Sequence, residues 1–143
     1  VRVNPSNFRN KRKGDILVSI SGPLANLFLA LLAALLYAFL AQFPRYSKTM
    51  DMVLSMVNYV VYLNIVFCLL NLIPIPPFDG YRVVKNLLFR VNIGFFMKLE
   101  QFSTYILLAF ILLGLFNIII SKPAFLIYRF LIYSGLELMA LFF

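Results

Sequence analysis

The most regular feature of the chain is the alternation of long uncharged runs with short charged segments. Twenty-eight residues from Ile16 to Phe43 carry no charge, and 27 more pass without one from Met52 to Phe78. At about 1.5 Å per helical residue, either run exceeds the ~30 Å hydrocarbon core of a bilayer. We therefore predict two transmembrane helices, at about residues 16–43 and 52–75.

Two further apolar segments follow. Gln101–Ser121 supplies 21 uncharged residues and predicts a third span over 101–121. Residues 123–143 are apolar but contain Arg129 and Glu137, so this segment is either a fourth crossing or an interfacial helix. The expected fold is all-α: a polytopic transmembrane helix bundle with three to four spans and a proline-broken helix, forming a single membrane-embedded domain over residues 1–143.

Composition supports the membrane assignment and removes several kinds of chemistry. The chain is 63% hydrophobic and 13% charged, with a mean hydropathy of +0.94, whereas soluble domains are about 45–50% apolar and about 25% charged. It contains no histidine, which excludes a histidine base, a Ser-His-Asp triad and a histidine metal ligand within these residues. Cys68 is the one cysteine, so no intrachain disulfide can form.

Basic residues predict the orientation in the membrane, because Lys and Arg concentrate on the cytoplasmic side. Residues 1–15 contain five Lys or Arg and residues 81–100 contain four, but only Arg45 and Lys48 lie between the first two spans. We expect the amino terminus and residues 81–100 to be cytoplasmic. The net charge of +8 then needs no nucleic acid to explain it, and the partner it implies is the lipid bilayer.

The segment Tyr81–Glu100 differs in character from the spans. Its apolar residues recur at helical spacing while most of its basic residues fall elsewhere around the helix. Two interpretations stay open: an amphipathic helix on the membrane surface, or a transmembrane helix that continues into a basic aqueous cap.

The second span ends in a proline-rich segment that carries an acidic residue. Pro74, Pro76 and Pro77 lack amide donors and disfavour the helical conformation in the residues before them, so the helix must break there. Asp79 and Gly80 follow directly. A carboxylate beside a break at membrane depth is a candidate zinc ligand, but Asp79 could also simply cap the helix that begins near Tyr81.

Three of the asparagines on the two predicted spans are candidate site residues. Asn64 and Asn71 are two helical turns apart on one face of the second span, and Asn26 follows Gly22 by one turn on the first. Their amides could donate to a reacting carbonyl oxygen. From the residues alone, hydrogen bonding between packed helices is the favoured interpretation.

Taken together, these motifs resemble a known family. Asn71-x-x-Pro74-x-x-Pro77-x-Asp79-Gly80, with Asn64 seven residues earlier, resembles the second signature of the site-2 protease family, the intramembrane zinc metalloproteases. Residues 1–10 look like the family's cytoplasmic segment after its first catalytic helix. Residues 21–26, with Gly22, Pro23 and Asn26, resemble its Gly-Pro-x-x-Asn helix start.

The resemblance implies a function and a set of roles. Zinc in that family is held by two histidines of a His-Glu-x-x-His helix and by an aspartate that matches Asp79, and the glutamate is the general base. Asn71 matches an asparagine that places substrate or stabilises the oxyanion. The implied activity is cleavage of transmembrane segments of protein substrates.

The chain departs from this pattern because it has no His-Glu-x-x-His sequence. It is therefore either a carboxy-terminal fragment or a degenerate homologue, and Val1, which is not a start residue, favours the fragment. The 143 residues alone are expected to be inactive. The alternative function is a non-catalytic membrane scaffold or transporter-like subunit, but the proline break occurs once, which favours a site over a transport pathway.

Overall fold

A computed structural model describes residues 11–43, 47–88 and 93–142. Predictions that concern residues 1–10, Arg45, residues 89–92 and Phe143 lie outside this described part. The described residues form six α-helices and one π-helical segment and contain no strand, so the all-α prediction is confirmed. The elements are α1 (Lys11–Leu40), α2 (Lys48–Leu72), α3 (Asp79–Leu88), α4 (Ile93–Gln101), α5 (Ser103–Leu112), the π segment (Asn117–Ser121) and α6 (Lys122–Ala140).

Helices α1 and α2 form an antiparallel hairpin that holds most of the core. The side chain of Ser47 accepts a hydrogen bond from the amide of Met50 at 3.3 Å and caps the start of α2. Small residues on α1 let the two backbones approach closely, and branched residues of α2 fill the space between them. The buried residues concerned are Ala30, Ala33, Ala34, Val61, Ile65 and Val66.

Helix α2 ends where the prolines predict. Ile73, the residue before Pro74, has an extended backbone with ψ of 129°, as expected for a residue that precedes proline. A turn follows, in which the amide of Phe78 donates to the carbonyl of Ile75 at 3.0 Å. The chain then enters α3 at Asp79. The proline-broken helix is confirmed, although α2 ends at Leu72 rather than at residue 75.

Helix α4 is fastened to α3 by polar contacts. The buried hydroxyl of Tyr81 donates to the carbonyl of Phe96 at 2.9 Å, and Lys85 forms an ion pair with Glu100. Burial, and next the negative charge of Glu100, raise the pKa of Tyr81, so the phenol stays a donor at neutral pH. The amphipathic segment is thus two short helices whose facing residues hold them together.

The structure differs from the predicted third span. Residues 101–121 are not one helix: the axes of α4 and α5 bend by 62° at Phe102, and α5 ends at Leu112. Gly114 has φ of +66°, in the left-handed region that glycine tolerates best, and it lies in a turn that the charge pattern does not mark. The long apolar helix lies later, because Asn117–Ala140 is continuous.

Helix α6 runs parallel to α1. Leu24, Phe28 and Leu31 of α1 share one apolar hollow with Ile127 and Leu131 of α6. Further along both helices, a Cβ on Gly135 would lie 3.3 Å from the Cβ of Ala38 and 3.4 Å from the carbonyl oxygen of Ala34. Since residue numbers rise together along the interface, the two helices point the same way.

Three helical segments are long and apolar enough to cross a membrane: Gly14–Leu40, Lys48–Leu72 and Asn117–Ala140. The bent pair Gly94–Gln101 and Ser103–Leu112 would make a fourth if it counted as one span. The predicted number of three to four candidate spans is confirmed. The segment after residue 121, which sequence left uncertain, supplies one of the three continuous ones.

Candidate functional site

The start of α3 is pressed against the end of α2, and this contact requires glycine at position 80. A Cβ built on Gly80 would lie 2.5 Å from the carbonyl oxygen of Leu72 and 2.7 Å from that of Ile73. These are backbone atoms, which cannot move aside as a side chain can. Gly80 therefore lets the two helix ends meet, and the residue before it, Asp79, is fixed at their junction.

The carboxylate of Asp79 faces α1. One of its oxygens, Oδ2, would lie 3.2 Å from a Cβ built on Gly22, so glycine at this position leaves the room that the carboxylate fills. The antiparallel α1–α2 hairpin brings these two motifs to the same end of the bundle. The Gly-Pro motif and the Asp-Gly motif, 57 residues apart in sequence, are neighbours in space.

Asp79 is partly buried but has no protein partner in the described residues. Its carboxylate makes no hydrogen bond to the backbone amides at the start of α3, and no ion pair with a basic side chain there. A negative charge at a helix amino terminus is favoured by the helix dipole. An anionic group without a partner beside a helix junction is suited to bind a cation.

The α1 side of this junction also holds polar groups without partners. Pro23 lies inside α1 and has no amide, so the carbonyl of Ser19 lacks its usual donor one turn later. The hydroxyl of Ser19 is buried, with the residue 2% exposed, and it has no hydrogen-bond partner. Ser19 lies one turn before Gly22, on the same face of α1.

Sequence reasoning missed Ser19 as a buried polar residue one turn before Gly22, although one signal was available. A serine four residues before a proline inside an apolar helix leaves its own carbonyl unpaired. The structure also corrects the Gly-Pro-x-x-Asn motif, which the resemblance places at a helix start. Because α1 begins at Lys11, Gly22 lies three turns inside the helix.

The asparagines are placed differently from one another. Asn71 lies in the last turn of α2, and Asn26 lies one turn beyond Gly22 on α1. Both are partly buried. The side-chain amide of Asn64 instead donates to the carbonyl of Val60 in its own helix at 2.8 Å, so this donor is used within α2. The structure thus brings Asp79, Gly80 and Gly22 together, and among the described residues no hydrogen bond joins Asn26, Asn64 or Asn71 to Asp79.

The described residues cannot complete a metal site by themselves. Within 11–43, 47–88 and 93–142, no three His, Cys, Asp or Glu side chains cluster closely enough to hold a metal ion. A catalytic zinc site uses three protein ligands. Asp79 fits one of these positions, because it is an unpartnered carboxylate held in place by backbone packing.

A family comparison matches the part of the chain that contains these residues. The model of Peptidase family M50 matches residues 41–114, about half of the chain, including Asn64, Asn71 and the Asp79-Gly80 pair. The chain belongs to Peptidase family M50. The resemblance to the site-2 protease family found in the sequence is thereby confirmed, and the chain is a member of a membrane metalloprotease family.

A curated relative supports the same membership. The chain is 35% identical over 118 residues to a Bacillus subtilis (strain 168) protein named "Putative zinc metalloprotease YwhC". The matched region covers 79% of this chain and 51% of the relative, so this M50 chain spans about half the length of the curated relative it matches. No solved structure matches the chain.

Proposed function

We propose that this chain is the carboxy-terminal part of an intramembrane zinc endopeptidase, and that Asp79 provides one ligand of its metal. The observation that carries this proposal is the carboxylate of Asp79, which faces α1 at Gly22 and has no partner among the described residues. Family membership supports the reaction class. The histidine ligands and the general base would come from sequence outside these 143 residues.

Most of the named residues of this chain would position the metal ligand Asp79 and would not react themselves. Gly80 lets α3 start against the last carbonyls of α2, and Gly22 leaves room for the carboxylate. Zinc bound there would act as a Lewis acid that polarises a peptide carbonyl. Asn71, in the last turn of α2, is the proposed amide donor to the carbonyl oxygen of the substrate.

The proposed substrates are transmembrane segments of other proteins. The junction that holds Asp79 directly follows a 25-residue apolar helix and faces another. A peptide bond that reaches it must therefore lie in or beside the bilayer. This arrangement suits an enzyme that cleaves membrane-embedded polypeptide, which is also what the family resemblance implies.

We also propose that the chain crosses the membrane three times. Successive crossings alternate in direction, so a crossing by the bent α4–α5 pair would make α6 antiparallel to α1. The side chains that meet between α1 and α6 make them parallel. The bent pair then returns to the side on which it starts, which by the count of basic residues is the cytoplasmic side.

The test of the ligand assignment is Asp79→Asn in the full-length protein. Asn caps helices about as well as Asp, but it removes the anionic ligand. We expect the variant to fold and insert normally, to lose most of its zinc by elemental analysis, and to lose cleavage of a transmembrane substrate. Asn64→Ala, which removes a hydrogen bond internal to α2, is the matched control and should keep its zinc.

Two results would contradict the proposal. Near-normal cleavage and zinc content in a folded Asp79→Asn protein would show that Asp79 is not a ligand of the metal. Stoichiometric zinc in the purified 143-residue chain would show that the ligands lie elsewhere. The isolated chain is expected to bind zinc poorly and to have no peptidase activity.

A further inference from the structure

Helix α6 carries a positive charge in the middle of its apolar length. Arg129 lies 12 residues after Asn117 and 11 before Ala140, the ends of the candidate span. At 1.5 Å per residue it is about 17 Å from either end. A guanidinium at that depth is costly, and such residues in known membrane proteins face a partner or a water-filled cavity.

Arg129 has aromatic neighbours but no acidic one. Its guanidinium carbon lies 5.8 Å from the ring centroid of Phe125, one turn before, and 5.5 Å from that of Tyr133, one turn after. In the part of the chain that the structure describes, no carboxylate forms an ion pair with it. The two rings attract the cation and hold it beside α6, but they do not neutralise its charge.

The surface around Arg129 is open. A hollow of about 450 Å³ runs along α6 and is lined by Phe125, Tyr128, Arg129, Ile132, Tyr133 and Leu136. Tyr128 is anchored behind it, because its hydroxyl donates to the Oδ1 of Asn58 on α2 at 2.6 Å and its ring packs edge-on against Tyr62. The floor of the hollow is therefore fixed, and no residue of the described ranges covers its outer side.

Two simpler occupants fit poorly. Lipid phosphate lies beyond the amino-terminal end of α6, where the helix begins at Lys122. Lys122 is already two turns, roughly 10 Å, from Arg129, which is farther than one arginine side chain reaches. A second copy of the chain would pack about an axis along the membrane normal and place Arg129 opposite another Arg129. Glu137 could not relieve this repulsion, since in a parallel pair it lies about 12 Å further along.

We propose that the α6 face formed by Phe125, Arg129 and Tyr133 docks a transmembrane helix of another membrane protein. That helix carries an Asp or Glu side chain near the bilayer midplane. The carboxylate meets the guanidinium between the two rings, where a charge-assisted, two-pronged contact is geometrically favoured. The proposal requires that α6 crosses the membrane, but it does not require the chain to be a protease.

The probe is a leucine-rich transmembrane peptide of about 20 residues with one central Glu, compared with the same peptide carrying Gln. Full-length protein with a fluorophore at a Ser47→Cys position, in a Cys68→Ser background, is placed in phosphatidylcholine vesicles. Energy transfer to the labelled peptide measures binding. We expect the Glu peptide to bind at least tenfold more tightly than the Gln peptide.

Variants separate the charge from the fold. Arg129→Leu should bring the two peptides to equal affinity, and Arg129→Lys should keep part of the preference. Arg82→Leu, on the exposed surface of α3, is the matched control and should leave the preference unchanged. Arg129→Glu should reverse it in favour of a peptide with a central Lys, a gain that a misfolded protein could not produce.

Several outcomes would overturn the proposal. Equal binding of the Glu and Gln peptides to the unmodified protein would overturn it. Such a result would mean either that the hollow accepts no helix or that another part of the full-length chain fills it. A preference that persists in Arg129→Leu would place the contact elsewhere. Loss of the preference when phosphatidylglycerol replaces part of the lipid would show that a headgroup, not a helix, holds Arg129.

Discussion

The two halves of the chain differ in how closely local sequence determines their helix ends. In residues 47–88, three successive helix ends lie at a capping serine, a proline or a charge: Ser47 precedes α2, Pro74 follows its last turn, and Asp79 begins α3. In residues 93–142, a bend and a turn lie inside one uncharged run. Local sequence determines these helix ends in the first half, whereas packing determines the bend and the turn in the second half.

This difference matters for function because the candidate site lies entirely in the first half. Gly80 meets the last carbonyls of α2 in a backbone approach that only glycine permits, and the carboxylate of Asp79 faces Gly22. The second half meets the first through larger apolar contacts, in which Ile120, Ala124 and Ile132 join the core. Changes at the site should therefore affect chemistry sharply, whereas changes in the second half should affect packing and membrane topology.

The largest expected effect concerns topology and tests whether the second half adds one crossing or two. Single cysteines at Ser47, Leu87 and Phe142, in a Cys68→Ser background, are exposed to a membrane-impermeant thiol reagent added from outside intact cells. We expect positions 47 and 142 to label and position 87 to label only after permeabilisation. If α4–α5 crossed the membrane fully, position 142 would lie on the same side as position 87 and would also label only after permeabilisation.

The next effect compares two glycines, one from each half. In Gly80→Ala the new methyl group meets the carbonyls of Leu72 and Ile73, so α3 must separate from α2. We expect the unfolding free energy in detergent to fall by about 3 kcal/mol, at the upper end for overpacking. Gly114→Ala meets nothing within 4 Å and should cost about 1 kcal/mol, from its left-handed backbone alone. Equal losses would remove the distinction between the two halves.

A smaller structural change should still have a functional result at Gly22. The methyl group of Gly22→Ala would lie 3.2 Å from the Oδ2 of Asp79, so the carboxylate must move by a few tenths of an ångström. Displaced ligands and reacting groups lose activity steeply, and we expect about a tenfold loss of zinc affinity and of cleavage in the full-length protein.

The control for this change is Gly135→Ala on α6. It creates a similarly close contact, with Ala38 at 3.3 Å, but lies far from Asp79. Both substitutions replace a helical glycine, which favours the helix by up to about 1 kcal/mol, so neither protein should unfold. If Gly135→Ala lost as much zinc as Gly22→Ala, general disturbance of packing would explain both.

These comparisons also indicate what sequence could and could not predict. Charge-free runs located α1 and α2, and the prolines located the break before Asp79, because these signals act on the residues beside them. The bend at Phe102 and the turn at Gly114 depend on how α5 and α6 pack, which no local pattern records. Single glycines are common inside apolar runs, so Gly114 by itself does not predict a turn.

The site was predictable in the same uneven way. The Asp79-Gly80 signature was found from its spacing, yet the contact with Gly22 depends on the antiparallel hairpin that places the two motifs at one end of the bundle. Asn64 was grouped with Asn71 because they share a helix face, but the structure uses its amide within α2. Periodicity identifies a face; it does not identify which polar group on that face is already paired.

The smallest expected effect concerns Ser19, whose buried hydroxyl has no partner. A buried polar group without a hydrogen bond costs about 1–3 kcal/mol, so Ser19→Ala should raise the unfolding free energy of the protein by about 1 kcal/mol while filling nearly the same volume. Ser134→Ala in the second half is the comparison. Its hydroxyl already donates to the carbonyl of Phe130 on an exposed face, and its loss should lower the unfolding free energy by about 0.5 kcal/mol or less. Chemical denaturation of both variants in the same detergent measures the difference. If Ser19→Ala is instead destabilising, the hydroxyl has a partner in the folded protein.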